Sequence, residues 1–100
     1  MFKGIKKRGG KVVEFDSSKI TSAVAKAGKA TGEFDEREAK KLTLKILTLA
    51  RELRLGSIPG VEEIQDIVER VLLDSPFYMS AKAYILYREQ HAQIRAISIK

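Results

Sequence analysis

The sequence contains no cysteine, and its single histidine, His91, has no metal-ligating or catalytic partner at a suitable spacing. Disulfides and zinc–thiolate sites are therefore excluded, and a metal or general-base role for His91 would need convergent partners. The sequence also lacks a phosphate-binding loop of the Gly-x-x-x-x-Gly-Lys-Ser/Thr type. We therefore predict no catalytic residue, no metal site, and a chain that is not an enzyme by itself.

Long apolar runs are absent as well. The longest candidate, Ile46 to Ala50, is far shorter than the ~20 residues that a membrane-spanning helix needs. The first residues also lack the pattern of a signal peptide. Hydrophobic residues make up 44% of the chain, which is ordinary for a globular protein and argues against disorder. We expect a cytoplasmic protein with no membrane partner.

The length and the charge limit the remaining possibilities. One hundred residues are enough for one small domain with a core, but not for a deep active-site cleft as well. No repeat or linker divides the chain, so we predict a single domain over 1–100. Nineteen Lys and Arg against thirteen Asp and Glu give a net charge of +6. This charge favours an anionic partner, such as a nucleotide, a nucleic acid or an acidic protein surface.

A β-hairpin is predicted over about 3–16, on either side of Gly9-Gly10. A glycine pair suits the positive φ angles of a two-residue turn, and such a turn would pair Ile5 with Glu14. Alternation along the strands would then place Val13 on the face opposite to Ile5. Because an isolated hairpin is not stable in water, one of its faces must pack on helices.

Apolar residues at helical spacing predict four helices behind this hairpin. Asp16 and Asp35 are good N-caps for the first two, and Gly32 and Gly56 are placed to end them. The predicted helices are 17–31, 36–55, 61–74 and 79–95. The fold class is therefore α+β, with an N-terminal β-hairpin lid over a bundle of four helices.

Three cations around the hairpin are candidate phosphate ligands. Lys19 falls in the first turn of the first helix, where the macrodipole disfavours a cation unless an anion lies nearby. A contact with Asp16 or Glu14 is the alternative for Lys19. Lys7 and Arg8 offer a mobile charge and a planar set of donors for phosphate, but the residues alone favour a basic hairpin tip that keeps the sheet edge soluble. Alternation would point Lys7 and Arg8 to opposite faces.

Apolar positions and one further cation complete the candidates. Ile5 and Ile20 could form a wall against which an adenine lies, besides taking part in ordinary core packing. Arg88 shares a side of the fourth helix with Tyr84 and Ile85, so it leans inward and needs a partner. A phosphate or a carboxylate on a neighbouring helix would serve equally well.

The hairpin and the first helix resemble the start of the ATP cone, a regulatory nucleotide-binding module. Family members carry Lys-Arg-Asp-Gly, then Phe-Asp, then Lys-Ile, which stand here as Lys7-Arg8-Gly9-Gly10, Phe15-Asp16 and Lys19-Ile20. One departure is that Gly9 replaces the usual Asp. The turn remains possible, but any contact of that side chain is lost.

The third and fourth helices extend the resemblance to about residues 4–90. The family patterns there are matched by Val61, Ile64, Gln65, Asp66, Val68 and Glu69, and by Ala81, Lys82, Tyr84, Ile85, Tyr87 and Arg88. The ending from Tyr87 to His91 is most similar to the cone of an anaerobic (class III) ribonucleoside-triphosphate reductase. A repressor of reductase genes carries the cone behind a four-cysteine zinc ribbon, which a chain without cysteine cannot form.

The resemblance implies an allosteric module that binds ATP or dATP with magnesium and controls ribonucleotide reductase activity through oligomerisation. It implies three kinds of partner: an adenine nucleotide, a parent or partner reductase catalytic domain, and other copies in a nucleotide-dependent homo-oligomer. The predicted nucleotide-binding residues are Ile5, Lys7, Arg8, Val13, Asp16, Lys19, Ile20, Val61 and Arg88.

Two other functions remain open from the sequence. The net charge and the basic hairpin tip could serve a small nucleic-acid-binding or transcription-regulatory module, although the cations do not lie on one recognition helix and no aromatic residue separates them. The chain could also be a helical interaction domain that has lost nucleotide binding, as the Gly9 departure allows. A nucleic acid is the less favoured partner.

Overall fold

A computed structural model describes residues 2–98, with side chains for 2–93; the remaining positions of the predicted domain lie outside the described residues. A short hairpin precedes four helices, which confirms the predicted α+β fold class. The elements are β1 (Ile5–Lys6), β2 (Val12–Val13), α1 (Ser17–Thr31), α2 (Glu36–Glu52), α3 (Val61–Asp74) and α4 (Tyr78–Ser98). No described helix is both long and apolar enough to cross a membrane.

The four helices form a closed ring, in which α1 packs on α2, α2 on α3, α3 on α4, and α4 back on α1. Their apolar faces meet in one core, in which Leu42, Ile46 and Leu72 are among the largest fully buried side chains. Gly28 of α1 lies directly against the ring of Phe34, where an added Cβ would overlap the ring. The small residues of α1 therefore allow its neighbours to approach closely.

The hairpin turn differs from the predicted two-residue form. Gly10 donates its backbone N–H to Lys7 and Lys7 donates to Lys11, both at 2.8 Å, so that three residues form the loop. Gly10 takes a φ of 91°, as the last position of such a loop requires. Ile5 consequently pairs with Val13 rather than with Glu14. The one-residue shift moves Val13 to the same face as Ile5, and the prediction of opposite faces was wrong.

Side-chain caps fix where the first two helices begin. Asp16 accepts a hydrogen bond from the N–H of Ser18 at 3.0 Å, and Asp35 accepts from Arg37 at 3.1 Å. Gly32 ends α1 in the left-handed conformation, as predicted. The second helix stops at Glu52, earlier than the predicted residue 55 and before Gly56. The reason is local, because Arg54 takes a positive φ of 53° and turns the chain away from the helix axis.

The first strand is fastened to the α2–α3 linker. Lys3 donates its backbone N–H to the carbonyl of Ser57 at 2.8 Å, and Lys6 donates to the carbonyl of Pro59 at 2.9 Å. Gly4 is buried beside Val13, whose carbonyl oxygen would lie 2.9 Å from an added Cβ. These contacts place the hairpin beside the first turn of α3.

Glu33, in the α1–α2 loop, caps the start of α4. Its carboxylate accepts from the backbone N–H and the hydroxyl of buried Ser80, both at 2.6 Å, and the Thr31 hydroxyl lies 2.8 Å from that of Ser80. The Ser80 hydroxyl bond holds the pKa of Glu33 below its usual value, against the opposing effect of burial. A carboxylate thus links the first and last helices.

The contact between Glu33 and Ser80 predicts that the stability of the folded protein depends on pH. A carboxyl whose pKa is lower in the folded protein stabilises the fold above its ordinary pKa, and this contribution is lost as the pH falls through the lowered value. We expect Glu33→Gln to lower the melting temperature at pH 7 and to make the decline below about pH 4.5 shallower than in the parent protein. Melting curves from pH 7 to 3 test this, with the exposed Glu52→Gln as control. Equal acid profiles for parent and Glu33→Gln would contradict it.

Candidate nucleotide-binding site

A pocket of about 260 Å³ lies between the hairpin, the start of α1 and the first turns of α3, with one contribution from α4. Its walls are mainly apolar, and charged side chains lie around its opening. The lining residues are Ile5, Lys7, Val13, Glu14, Phe15, Asp16, Lys19, Ile20, Ala23, Val61, Ile64, Gln65, Val68 and Tyr84. Small-molecule sites combine these features, an apolar interior with a few polar groups, although most are somewhat larger.

Seven of the nine predicted site residues line this one pocket, and only Arg8 and Arg88 do not. The corrected hairpin register is what brings Val13 into the pocket beside Ile5. Lys7 and Lys19 come from different elements, the hairpin and α1, and both are exposed at the opening. The pocket therefore presents two cations beside an apolar interior.

The start of α1 shapes one side of the opening. Asp16 accepts from both the N–H and the hydroxyl of Ser18, at 3.0 and 2.7 Å. These hydrogen bonds hold the pKa of Asp16 below its usual value, and Lys19 adds a smaller electrostatic contribution. Among the described side chains, no carboxylate lies within ion-pair distance of Lys19. Its ammonium is therefore available to an anion in the pocket.

Arg8 lies beyond the pocket wall, at the hairpin tip. Its Nη2 donates to Oε1 of Gln65 at 3.0 Å, and its Nη1 lies 3.5 Å from Oε1 of Glu62. Both partners belong to the first turns of α3. Because Arg8 sits in the turn rather than in a strand, the alternation expected for Lys7 and Arg8 does not apply to it.

Arg88 is held by carboxylates of α3. Its Nη1 lies 2.9 Å from Asp66 and 3.0 Å from Glu69, and its side chain is only 17% exposed. Partial burial acts to lower the pKa of Arg88, but the hydrogen bonds to Asp66 and Glu69 outweigh it and raise the pKa. Of the two partners that the sequence allowed, the described structure contains the carboxylates, and phosphate contact by Arg88 stays a prediction.

Comparison with known proteins bears directly on this pocket. Residues 3–93 match the family described as the ATP cone domain. The chain belongs to the ATP cone family. The sequence-based prediction of that family is therefore confirmed, and the pocket lies where the family's hairpin and helix motifs meet.

Relatives of this cone occur in several kinds of ribonucleotide reductase. It is 41% identical over 100 residues to a vitamin B12-dependent ribonucleoside-diphosphate reductase of Thermoplasma acidophilum, covering 95% of this chain and 13% of that protein. It is 38% identical over 97 residues to a ribonucleoside-diphosphate reductase subunit alpha of Chlamydia pneumoniae, covering 90% and 9%. An anaerobic ribonucleoside-triphosphate reductase of Salmonella typhimurium is 33% identical over 84 residues, covering 84% and 11%. The cone thus spans about a tenth of these curated relatives.

The cone's pocket includes residues that the sequence-based prediction did not name. Gln65 lies one helical turn after Val61, and Ala23 one turn after Ile20, so helical spacing from predicted residues could have found both. Tyr84 is almost fully buried, which raises the pKa of its hydroxyl to about 12 and keeps it protonated. In the sequence Tyr84 belongs to the family pattern of the fourth helix, but nothing in that pattern distinguishes a pocket residue from core packing.

Two other features bear on what the cone could bind. A wider and more open depression, of about 490 Å³, lies beside Phe2, Arg51 and Arg54, but it contains none of the predicted site residues. We favour the smaller pocket because its polar groups converge on an apolar interior.

The glycine at position 9 is not required by lack of space. A Cβ at Gly9 would meet nothing within 4 Å, so the Asp usual in the family would fit there.

Proposed function

We propose that this cone is an allosteric module of a ribonucleotide reductase that binds ATP or dATP in the hairpin pocket. The observation that carries the proposal is that Lys7 and Lys19, from separate elements, flank a pocket whose interior is apolar. ATP cone domains as a family bind these effector nucleotides. In this cone the base would enter the pocket and the phosphates would remain at the opening.

The interior of the pocket suits a flat, mainly apolar ring. Ile5 and Val13 contribute from the hairpin, Ile20 from α1 and Val61 from α3. A volume of about 260 Å³ fits the base better than a whole nucleotide, since sites for entire drug-sized ligands span about 300–1,000 Å³. The polar groups of Gln65 and the Tyr84 hydroxyl could then meet the nitrogen atoms of the base.

The opening of the pocket suits phosphates. Two ammonium groups supply charge-assisted hydrogen bonds, and the first turn of α1 adds the favourable end of a helix dipole. Among the described residues, no cluster of acidic and histidine side chains would hold a metal ion by itself. Magnesium would then arrive with the phosphates, and Glu14, which lines the pocket, would accept hydrogen bonds from its water ligands.

A bound nucleotide would act through a change of state. The ligand can only shift an equilibrium between states for which its affinity differs. We propose that these states differ in how copies of the cone, or the cone and a reductase catalytic domain, associate. Ultracentrifugation of the complete reductase with and without dATP would detect such a change.

Thermal melting of the protein with MgATP, MgdATP and MgGTP tests the binding proposal. A ligand that binds only the folded state at 100 times its Kd stabilises that state by about 2.7 kcal/mol. For a domain of this size the melting temperature should then rise by on the order of 10 °C. Adenine nucleotides should produce the shift and GTP a smaller one. No shift at millimolar ATP would reject the proposal and favour an interaction domain without a nucleotide.

One observation keeps a nucleic acid as the second candidate. The outer face of α2 carries five exposed cations, none of which lies within ion-pair distance of a described carboxylate. These cations are Arg37, Lys40, Lys41, Lys45 and Arg51. Binding of duplex DNA that weakens steeply with salt and is unaffected by ATP would favour this function.

A further inference from the structure

The contacts of Arg8 make it unavailable to the pocket as it stands. Its Nη2 donates to Gln65 at 3.0 Å, its Nη1 forms an ion pair with Glu62 at 3.5 Å, and its side chain is 25% exposed. Gln65 is also part of the pocket wall, so the same residue touches both the hairpin tip and the space for the ligand. A change at the pocket can therefore reach Arg8 through a single side chain.

Arg8 cannot contact α3 and a phosphate at the same time through the same pair of N–H groups. A guanidinium binds an oxyanion most strongly with two parallel N–H groups. The edge formed by Nη1 and Nη2 is the one that faces Glu62 and Gln65. If Arg8 presents this edge to a phosphate at the pocket opening, it must leave both partners on α3.

We propose that Glu62 and Gln65 compete with the nucleotide's phosphates for Arg8, and that these two positioning residues set the affinity of the cone for its effector. This inference rests on the proposed function of the pocket. Binding frees the hairpin tip from α3 and leaves the Glu62 carboxylate, which is already exposed, without its cation. The surface charge of α3 beside the hairpin then differs between the empty and the occupied cone.

Calorimetric titration with MgATP tests the competition. Glu62→Gln removes the charge that holds Arg8, and exposed ion pairs contribute about 0.2–1 kcal/mol. We expect the Glu62→Gln protein to bind MgATP up to about fivefold more tightly than the parent protein. Asp74→Asn, at the far end of α3, changes the net charge of the protein equally and should leave affinity unchanged. In an Arg8→Ala background, Glu62→Gln should have no effect.

The opposite results would overturn the competition. Equal gains from Glu62→Gln and Asp74→Asn, or the same gain without Arg8, would show that only general electrostatics is at work. Weaker binding in Glu62→Gln would show that α3 prepares Arg8 for the ligand instead. A parent protein that does not bind MgATP would reject the proposed function.

The contact between Arg8 and Glu62 can be tested without nucleotide. Arg8→Ala and Glu62→Gln should then change the melting temperature non-additively, and additive changes would disprove the contact.

Discussion

Replacing Lys19 by alanine should weaken the binding of MgATP by about ten- to a hundredfold. Lys19 lines the pocket opening at the start of α1, and no described carboxylate pairs with it. Hydrogen bonds to charged groups contribute about 1.5–3 kcal/mol, and each 1.4 kcal/mol corresponds to a factor of ten in Kd. Calorimetry at fixed salt and magnesium would measure the loss, which should fall mainly on nucleotides with several phosphates.

Lys29→Ala is the matched control for this substitution. Lys29 is exposed on the same helix and does not line the pocket, whereas Lys26 lies over the ring of Tyr87 at 5.5 Å and is less suitable. The control should bind MgATP like the parent protein. If the two variants bind equally well, Lys19 is not part of the site.

Filling the pocket should weaken the binding of MgATP without removing a charge. Ala23 of α1 is half-buried and lines the pocket. Ala23→Leu would extend a side chain into the space that the base needs, and overpacking costs about 1–3 kcal/mol or more when the surroundings cannot yield. We therefore expect affinity for MgATP to fall by at least about tenfold in calorimetry.

Ala30→Leu provides the comparison, since Ala30 lies two turns further along the same side of α1 and outside the pocket. Melting curves of both variants without nucleotide separate loss of binding from loss of folding. An Ala23→Leu protein that folds and retains the affinity of the parent would show that the nucleotide binds elsewhere, for instance beside Arg51 and Arg54.

The parts of the fold that local chemistry determines could be predicted from the sequence. Asp16 and Asp35 mark helix starts because a carboxylate satisfies N–H groups that the helix cannot, and Gly32 marks an end because it alone tolerates a positive φ at low cost. These signals lie within a few residues of what they specify. Seven of the nine residues that the family resemblance predicted line this one pocket, and their part in nucleotide binding stays a prediction.

Three other features could not be predicted in this way, because the neighbouring residues allow more than one outcome. The pairing register of the hairpin depends on whether the loop has two or three residues, and Gly9-Gly10 is compatible with both lengths. Arg88 needed an anionic partner, but its sequence neighbours do not reveal that Asp66 and Glu69 lie opposite it. Arg54 has no local signal for its positive φ, which serves to turn the chain toward the linker.

The hydrogen bonds between the first strand and the linker also bear on the order of folding. Lys3 and Lys6 leave the ribosome before their acceptors, the carbonyls of Ser57 and Pro59. At about 5–20 residues per second, several seconds of synthesis separate the donors from the acceptors. Within the cone, the contacts that fasten the hairpin beside the pocket can therefore form only after the linker has been synthesised. In a fragment ending at residue 56, the amides of Lys3 and Lys6 should exchange with solvent without protection.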